Sequence, residues 1–105
     1  MTAGKNSDAQ LEPSFILRPI VGLVECLPKV DLEQITIEAI KTHRRLRDIA
    51  EERYEAWRTG SSSNGETAGP ARIAYVTAMI DVHAQQTVLS TLLEVLGHIP
   101  LVPKT

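Results

Sequence analysis

From Asp31 to about Arg58, apolar residues return at steps of three and four: Leu32, Ile35, Ala39, Leu46, Ile49 or Ala50, and Trp57. That spacing predicts a long helix with a narrow apolar stripe, widened near its start by Ile37 and Ile40. Asp31 reads as its N-cap, with Gln34 completing a capping-box-like pair, and Thr59-Gly60 as its stop. A second helix is predicted from Pro70, a proline suited to a first turn, to Leu96, with Gly97 in the stop position and Pro100 just beyond. Ahead of both, residues 15–28 (FILRPIVGLVECLP) are mostly apolar; Pro19 is placed to begin a short helical turn and Pro28 to end it.

Two stretches lack this periodicity. Residues 1 to about 13 are small and polar and read as a loose tail, and residues 60–69 (GSSSNGETAG) read as a flexible connector between the long helices. No strand pattern is evident, so the expected fold is all-α: an antiparallel hairpin of two long helices with a short N-terminal helical segment, in one domain over residues 1–105.

The second helix says more than the first. Only Arg72, Asp81 and Glu94 are charged in it, and its apolar residues mark two faces: Tyr75, Met79, Val82, Leu89, Leu93 and Leu96 on one, Ile73, Ile80, Ala84, Val88 and Val95 on the other. A two-helix hairpin covers one of them, and leaving large apolar side chains in water forgoes roughly 1.5 to 3 kcal/mol each. A second copy of the chain is the economical cover, which predicts a homodimer closing into a four-helix bundle.

Charge narrows the function classes. Eleven basic against thirteen acidic residues leave a formal charge of −2, the opposite of a dedicated nucleic-acid binder. The one local hint of such binding is THRRLRDIAEERYEAWR, residues 42–58. Yet Lys41, Arg44, Arg45, Arg47, Arg53 and Arg58 are balanced by Glu33, Glu38, Asp48, Glu51, Glu52 and Glu55. Pairs at helical spacing, Glu38 with Lys41, Arg44 and Arg45 with Asp48, and Arg47 with Glu51, are expected to cancel the charge phosphates need. A helical dimer that binds nucleic acid directly is the runner-up.

Catalytic and metal chemistry find little footing. His43 and His83 fall at comparable heights in an antiparallel hairpin, but two histidines make a poor metal site, and hydrogen-bonded core or interface roles are expected for them. Asp81 and His83, two apart on a helix, point to different sides, which breaks any triad with Ser90 or Cys26. The single cysteine, Cys26, is read as a buried thiol in a reducing compartment, and the absence of a signal-like or long apolar run fits a cytoplasmic protein. No enzyme activity, cofactor, metal, small-molecule ligand or membrane contact is expected.

The blocks LRPIVGLVECLP, DLEQITIEAIKTHRRL, GPARIAYVTAMIDVHAQ and LLEVLGHIP resemble, in order and spacing, those of the TraM antiactivators, helical proteins of conjugative plasmids that shut off quorum sensing. The resemblance covers nearly all of residues 16–100; the connector is longer and Ser-rich, and the tail after Pro100 differs. It implies a homodimer that binds a LuxR-type, acyl-homoserine-lactone-dependent activator, TraR, and keeps it from its promoter; docking on the activator's DNA-binding module is the mechanism expected for this. It further implies that Leu23, just after the Arg-Pro-x-x-Gly run, and Tyr75, in the Gly-Pro-x-x-Ile-x-Tyr run, are contact residues. Arg18, Pro19 and Gly22 share the first motif, either as contacts or as shapers of its backbone. From the long helix, Arg44 and Arg45 are the candidates to meet the activator, the open question being which of Arg44, Arg45 and Arg47 is left free of intrahelical pairing.

Overall fold

The computed structural model describes residues 16–60 and 69–103. The tail and most of the connector inferred from sequence lie outside them. Among the described residues there are three helices, α1 (Arg18–Val24), α2 (Lys29–Gly60) and α3 (Pro70–Leu96), and α2 and α3 pack along one another as the hairpin expected from the sequence.

Helix α1 begins where Pro19, whose ring presets a helical φ, sits in a first turn that needs no amide from it. It ends at Val24 rather than continuing to Pro28. The amides of Asp31 and Leu32 both donate to the Pro28 carbonyl at 3.0 Å, so that proline opens α2. Helix α2 thus starts two residues before Asp31, which lies in its first turn as a carboxylate near the positive end of the helix dipole instead of capping it. Gln34, expected to complete a capping box, donates instead from Nε2 to Glu38 Oε2 at 3.4 Å. Helix α3 opens on extended Gly69 and closes at Gly97, whose φ of +91° lets its amide reach back to the Leu93 carbonyl at 2.8 Å.

The core lies in two parts along the hairpin. Nearer the connector, Ala50, Ala78 and Val82 are buried with Leu46, Ile49 and Met79 against them; at the far end Val24, Leu32, Ala39, Leu92 and Leu96 are buried, with Ile20, Val88, Leu89 and Val95 against them. Ile35, expected in the stripe, is exposed, and Thr36 takes the buried position between Leu32 and Ala39. Thr36 and Thr91 have no exposed surface, and their hydroxyls donate to the carbonyls of Leu32 at 2.8 Å and Thr87 at 2.9 Å. A short side chain whose hydroxyl bonds its own helix permits burial without an orphaned polar group.

The second apolar face of α3 is covered in part within the chain. Val88 and Val95 pack on the cluster that Ile20 and Val24 of α1 help to form, while Ile73, Val76 and Ile80 stay exposed toward the connector end. The apolar face left uncovered is therefore shorter than the sequence pattern implies.

Candidate partner-binding surface

At the far end of the hairpin, α1 lies against α3 because Val24 is buried there and because the Leu17 amide donates to Thr91 Oγ1 at 3.0 Å. Successive residues on a helix are about 100° apart, so burying Val24 turns Leu23 outward, where it is 77% exposed. Leu27 and Val30 are exposed just after it. Arg18, Pro19 and Gly22 are exposed as well. A Cβ on Gly22 would meet nothing within 4 Å, so the fold of this chain does not require glycine there.

Midway along α2, Arg44, Arg45 and Arg47 are exposed. Of the ion pairs expected on this helix, Lys41 with Glu38 forms at 3.8 Å; Arg58 pairs with Glu55 at 2.7 Å. Arg44 and Arg45 with Asp48, and Arg47 with Glu51, do not come within 4.0 Å among the described residues. Arg45 instead donates to Thr42 Oγ1 at 3.4 Å. The long side chains spread into solvent, where an exposed pair gains too little to hold two of them together. The hydrogen bond from Arg58 to Glu55, and then that carboxylate's charge, raise the guanidinium above its ordinary value.

Toward the connector, three aromatic rings gather. Tyr54 meets Trp57 edge-on with centroids 6.0 Å apart and Tyr75 at 5.4 Å, and Trp57 stacks on Tyr75 at 5.5 Å with planes 27° apart. The Arg72 guanidinium carbon lies 5.7 Å from the centre of the Trp57 ring, a cation–π distance. The Tyr54 and Trp57 spacing on one helix face, matched antiparallel by Arg72 and Tyr75, is the available sequence signal for this cluster; the stripe read along α2 includes Trp57 but passes over Tyr54. Tyr75 is half-buried, part of the packing yet on the edge of a groove of about 580 Å³. That groove runs between α2 and α3 and is also lined by His43, Arg47, Glu51, Met79 and Gln86.

His43 and His83, level by sequence, do not meet. His43 lines the groove, its Nε2 buried and without a hydrogen-bond partner, contrary to the satisfied role expected of it. His83 is exposed beside Ile80 and Ala84 on the outer side of α3. Cys26, expected buried, is exposed, because the turn after α1 faces solvent. Among the described residues no three His, Cys, Asp or Glu side chains gather as a metal site, and no helix is long and apolar enough to cross a membrane.

The residues singled out by sequence therefore do not form one pocket. Leu23 sits near the C-terminal end of α3 and Tyr75 near its N-terminal end, about 30 Å away at the helical rise per residue. An extended surface for a macromolecule fits that separation; a small-molecule site does not.

Comparison with known proteins agrees with this architecture. The family Prok-TraM, described as Prokaryotic Transcriptional repressor TraM, matches residues 1–101. The Transcriptional repressor TraM of Agrobacterium fabrum strain C58 is 43% identical over 96 residues, covering 91% of this chain and 94% of its own. That of Rhizobium radiobacter is 44% identical over 95 residues, covering 90% and 93%. The crystal structure of a second quorum sensing antiactivator, TraM2 from A. tumefaciens strain A6, superposes with a TM-score of 0.68 at 35% identity, covering 83% of this chain and 98% of that one.

Proposed function

The chain belongs to the TraM family of transcriptional repressors, and we propose that it is an antiactivator that binds a LuxR-type, TraR-like quorum-sensing activator and keeps it off DNA, so that conjugal-transfer genes stay silent. The observation that carries this reading is Leu23, a large aliphatic side chain 77% exposed on a helix that its neighbour Val24 fixes to the core. An apolar anchor presented on a rigid element is what protein interfaces concentrate their binding energy on.

The activator's DNA-binding module is the target. Docking there either covers the surface that enters the groove of DNA or holds two modules at the wrong spacing for a two-fold operator. Leu23 at one end and Tyr75 at the other are the contacts, with Arg18, Pro19 and Gly22 flanking Leu23, and Arg44 and Arg45, free of carboxylates among the described residues, between them. The acting species is a homodimer joined through the exposed stripe of Ile73, Val76 and Ile80, which water covers poorly.

Co-purification with a ligand-loaded TraR-like activator tests the reading: the two proteins leave a sizing column as one complex. Separate elution at micromolar concentrations would refute it. A gel shift with promoter DNA and no activator separates the runner-up, since a salt-sensitive shift by this protein alone would make it a direct nucleic-acid binder.

A further inference from the structure

Gly97 turns the chain out of α3 at a φ of +91°, and the segment beyond it is pinned twice. His98 Nε2 lies 3.3 Å from Glu33 Oε2 on α2, a contact across 65 residues of sequence, and Pro100 is buried. Beside these two fixed points, Ile99 is 76% and Leu101 92% exposed. Glu33 follows Val30 by three residues, so the two share a side of α2, and the His98 contact brings the segment alongside Val30, itself 70% exposed. Leu23 and Leu27 are exposed at the same end of the hairpin, where Val24, Leu32 and Leu96 share one buried cluster.

We propose that residues 97–102 form a strap, fastened by Glu33 and His98, that adds Ile99 and Leu101 to the activator-binding surface begun at Leu23. The proposal rests on the reading that Leu23 meets the activator. The occupant is that protein because the strap leaves α3 at the end that carries Leu23: Val24, beside Leu23, and Leu96, beside Gly97, are buried in one cluster. The stripe assigned to a second copy lies more than 20 Å away, from Ile80 toward the opposite end of α3. Glu33 and His98 are positioning residues: they hold the strap and need not touch the partner.

The charged residues at this end are Arg18 of α1, Glu25 just after it, Lys29, Asp31 and Glu33 of α2, and Glu94 of α3; of the carboxylates, only Glu33 comes within 4.0 Å of His98 Nε2.

Calorimetric titration of the full-length protein with a ligand-loaded TraR-like activator provides the test. The double variant Ile99→Ala, Leu101→Ala raises Kd about tenfold or more, as loss of interface anchors does, with helicity and self-association unchanged. Glu33→Ala removes the group that holds His98 and weakens binding a few-fold, while Glu33→Gln, which keeps a hydrogen-bonding oxygen, restores most of it. Leu23→Ala is the control for the underlying reading. If Leu23→Ala weakens binding but the double variant stays within twofold, or if the double variant changes self-association instead, the strap proposal is overturned and the function stands. If Glu33→Ala leaves Kd unchanged, or if Glu33→Ala and Glu33→Gln bind alike, the fastening role is overturned. If no variant, Leu23→Ala included, affects binding, the reading of this end as the activator surface falls with it.

Discussion

Trp57 and Tyr75 stack across the two long helices with ring centroids 5.5 Å apart and planes 27° apart. The contact ties the end of α2 to the beginning of α3 on either side of the connector, and it makes Tyr75 a structural residue as well as a proposed anchor. Tyr75→Ala should lower stability by about 1 to 3 kcal/mol, through lost stacking and lost burial, and alter the fluorescence of Trp57, the only tryptophan. Activator affinity should fall by about 2 kcal/mol. Tyr75→Phe preserves the stack and should preserve stability, so chemical denaturation of both variants beside activator titration separates packing from contact.

Leu23 offers the cleaner case. With its side chain in solvent, Leu23→Ala should move the unfolding free energy by no more than about 0.5 kcal/mol while reducing activator affinity by about 2 kcal/mol. A large loss of stability, seen in urea unfolding followed by circular dichroism, would show that Leu23 belongs to the core.

Thr91 carries a prediction about the fold alone. Its hydroxyl accepts from the Leu17 amide and donates to the Thr87 carbonyl, so it joins the segment before α1 to α3. Thr91→Val keeps the shape but strands the amide, at a cost of about 1 to 3 kcal/mol. Thr91→Ser keeps the bond and should cost less. Equal stability of the two variants in thermal unfolding would show that the hydrogen bond contributes nothing.

Self-association is tested on the outer side of α3. Ile80 is 62% exposed amid Val76, His83 and Ala84. The proposed homodimer predicts that the unaltered protein sediments as a dimer at micromolar concentration and Ile80→Glu, which places a charge where a second copy would pack, as a monomer, because an unpaired charge in such a contact costs several kcal/mol. A dimer that persists unchanged would locate the interface elsewhere.

The long helices are legible in the sequence because their apolar periods are sustained and their ends carry strong signals, Pro70 and Gly97 above all. The start of α2 is not, because Asp31 has the side chain of an N-cap, while the backbone is instead gathered by the Pro28 carbonyl, a choice made by the turn after α1. Thr36 escapes a sequence reading for a related reason. A buried hydroxyl satisfied by its own helix looks polar in sequence, and the neighbouring Ile35 takes its place in any stripe drawn by hydropathy. The expected pairs of Arg44, Arg45 and Arg47 rest on spacing, which brings helix neighbours within reach but does not hold exposed side chains together. Leu23 is readable as a candidate through its motif, but that it faces solvent depends on where Val24 docks, a tertiary fact.

The central claim is that this protein acts on an activator and not on DNA. Its most direct test is fluorescence anisotropy of a labelled promoter fragment bound by ligand-loaded TraR-like activator, with this protein titrated in. The account predicts that anisotropy falls to that of free DNA as the activator is taken up, and that Leu23→Ala shifts the titration to higher concentration. Anisotropy that stays constant, or that rises because this protein binds the fragment itself, would contradict it.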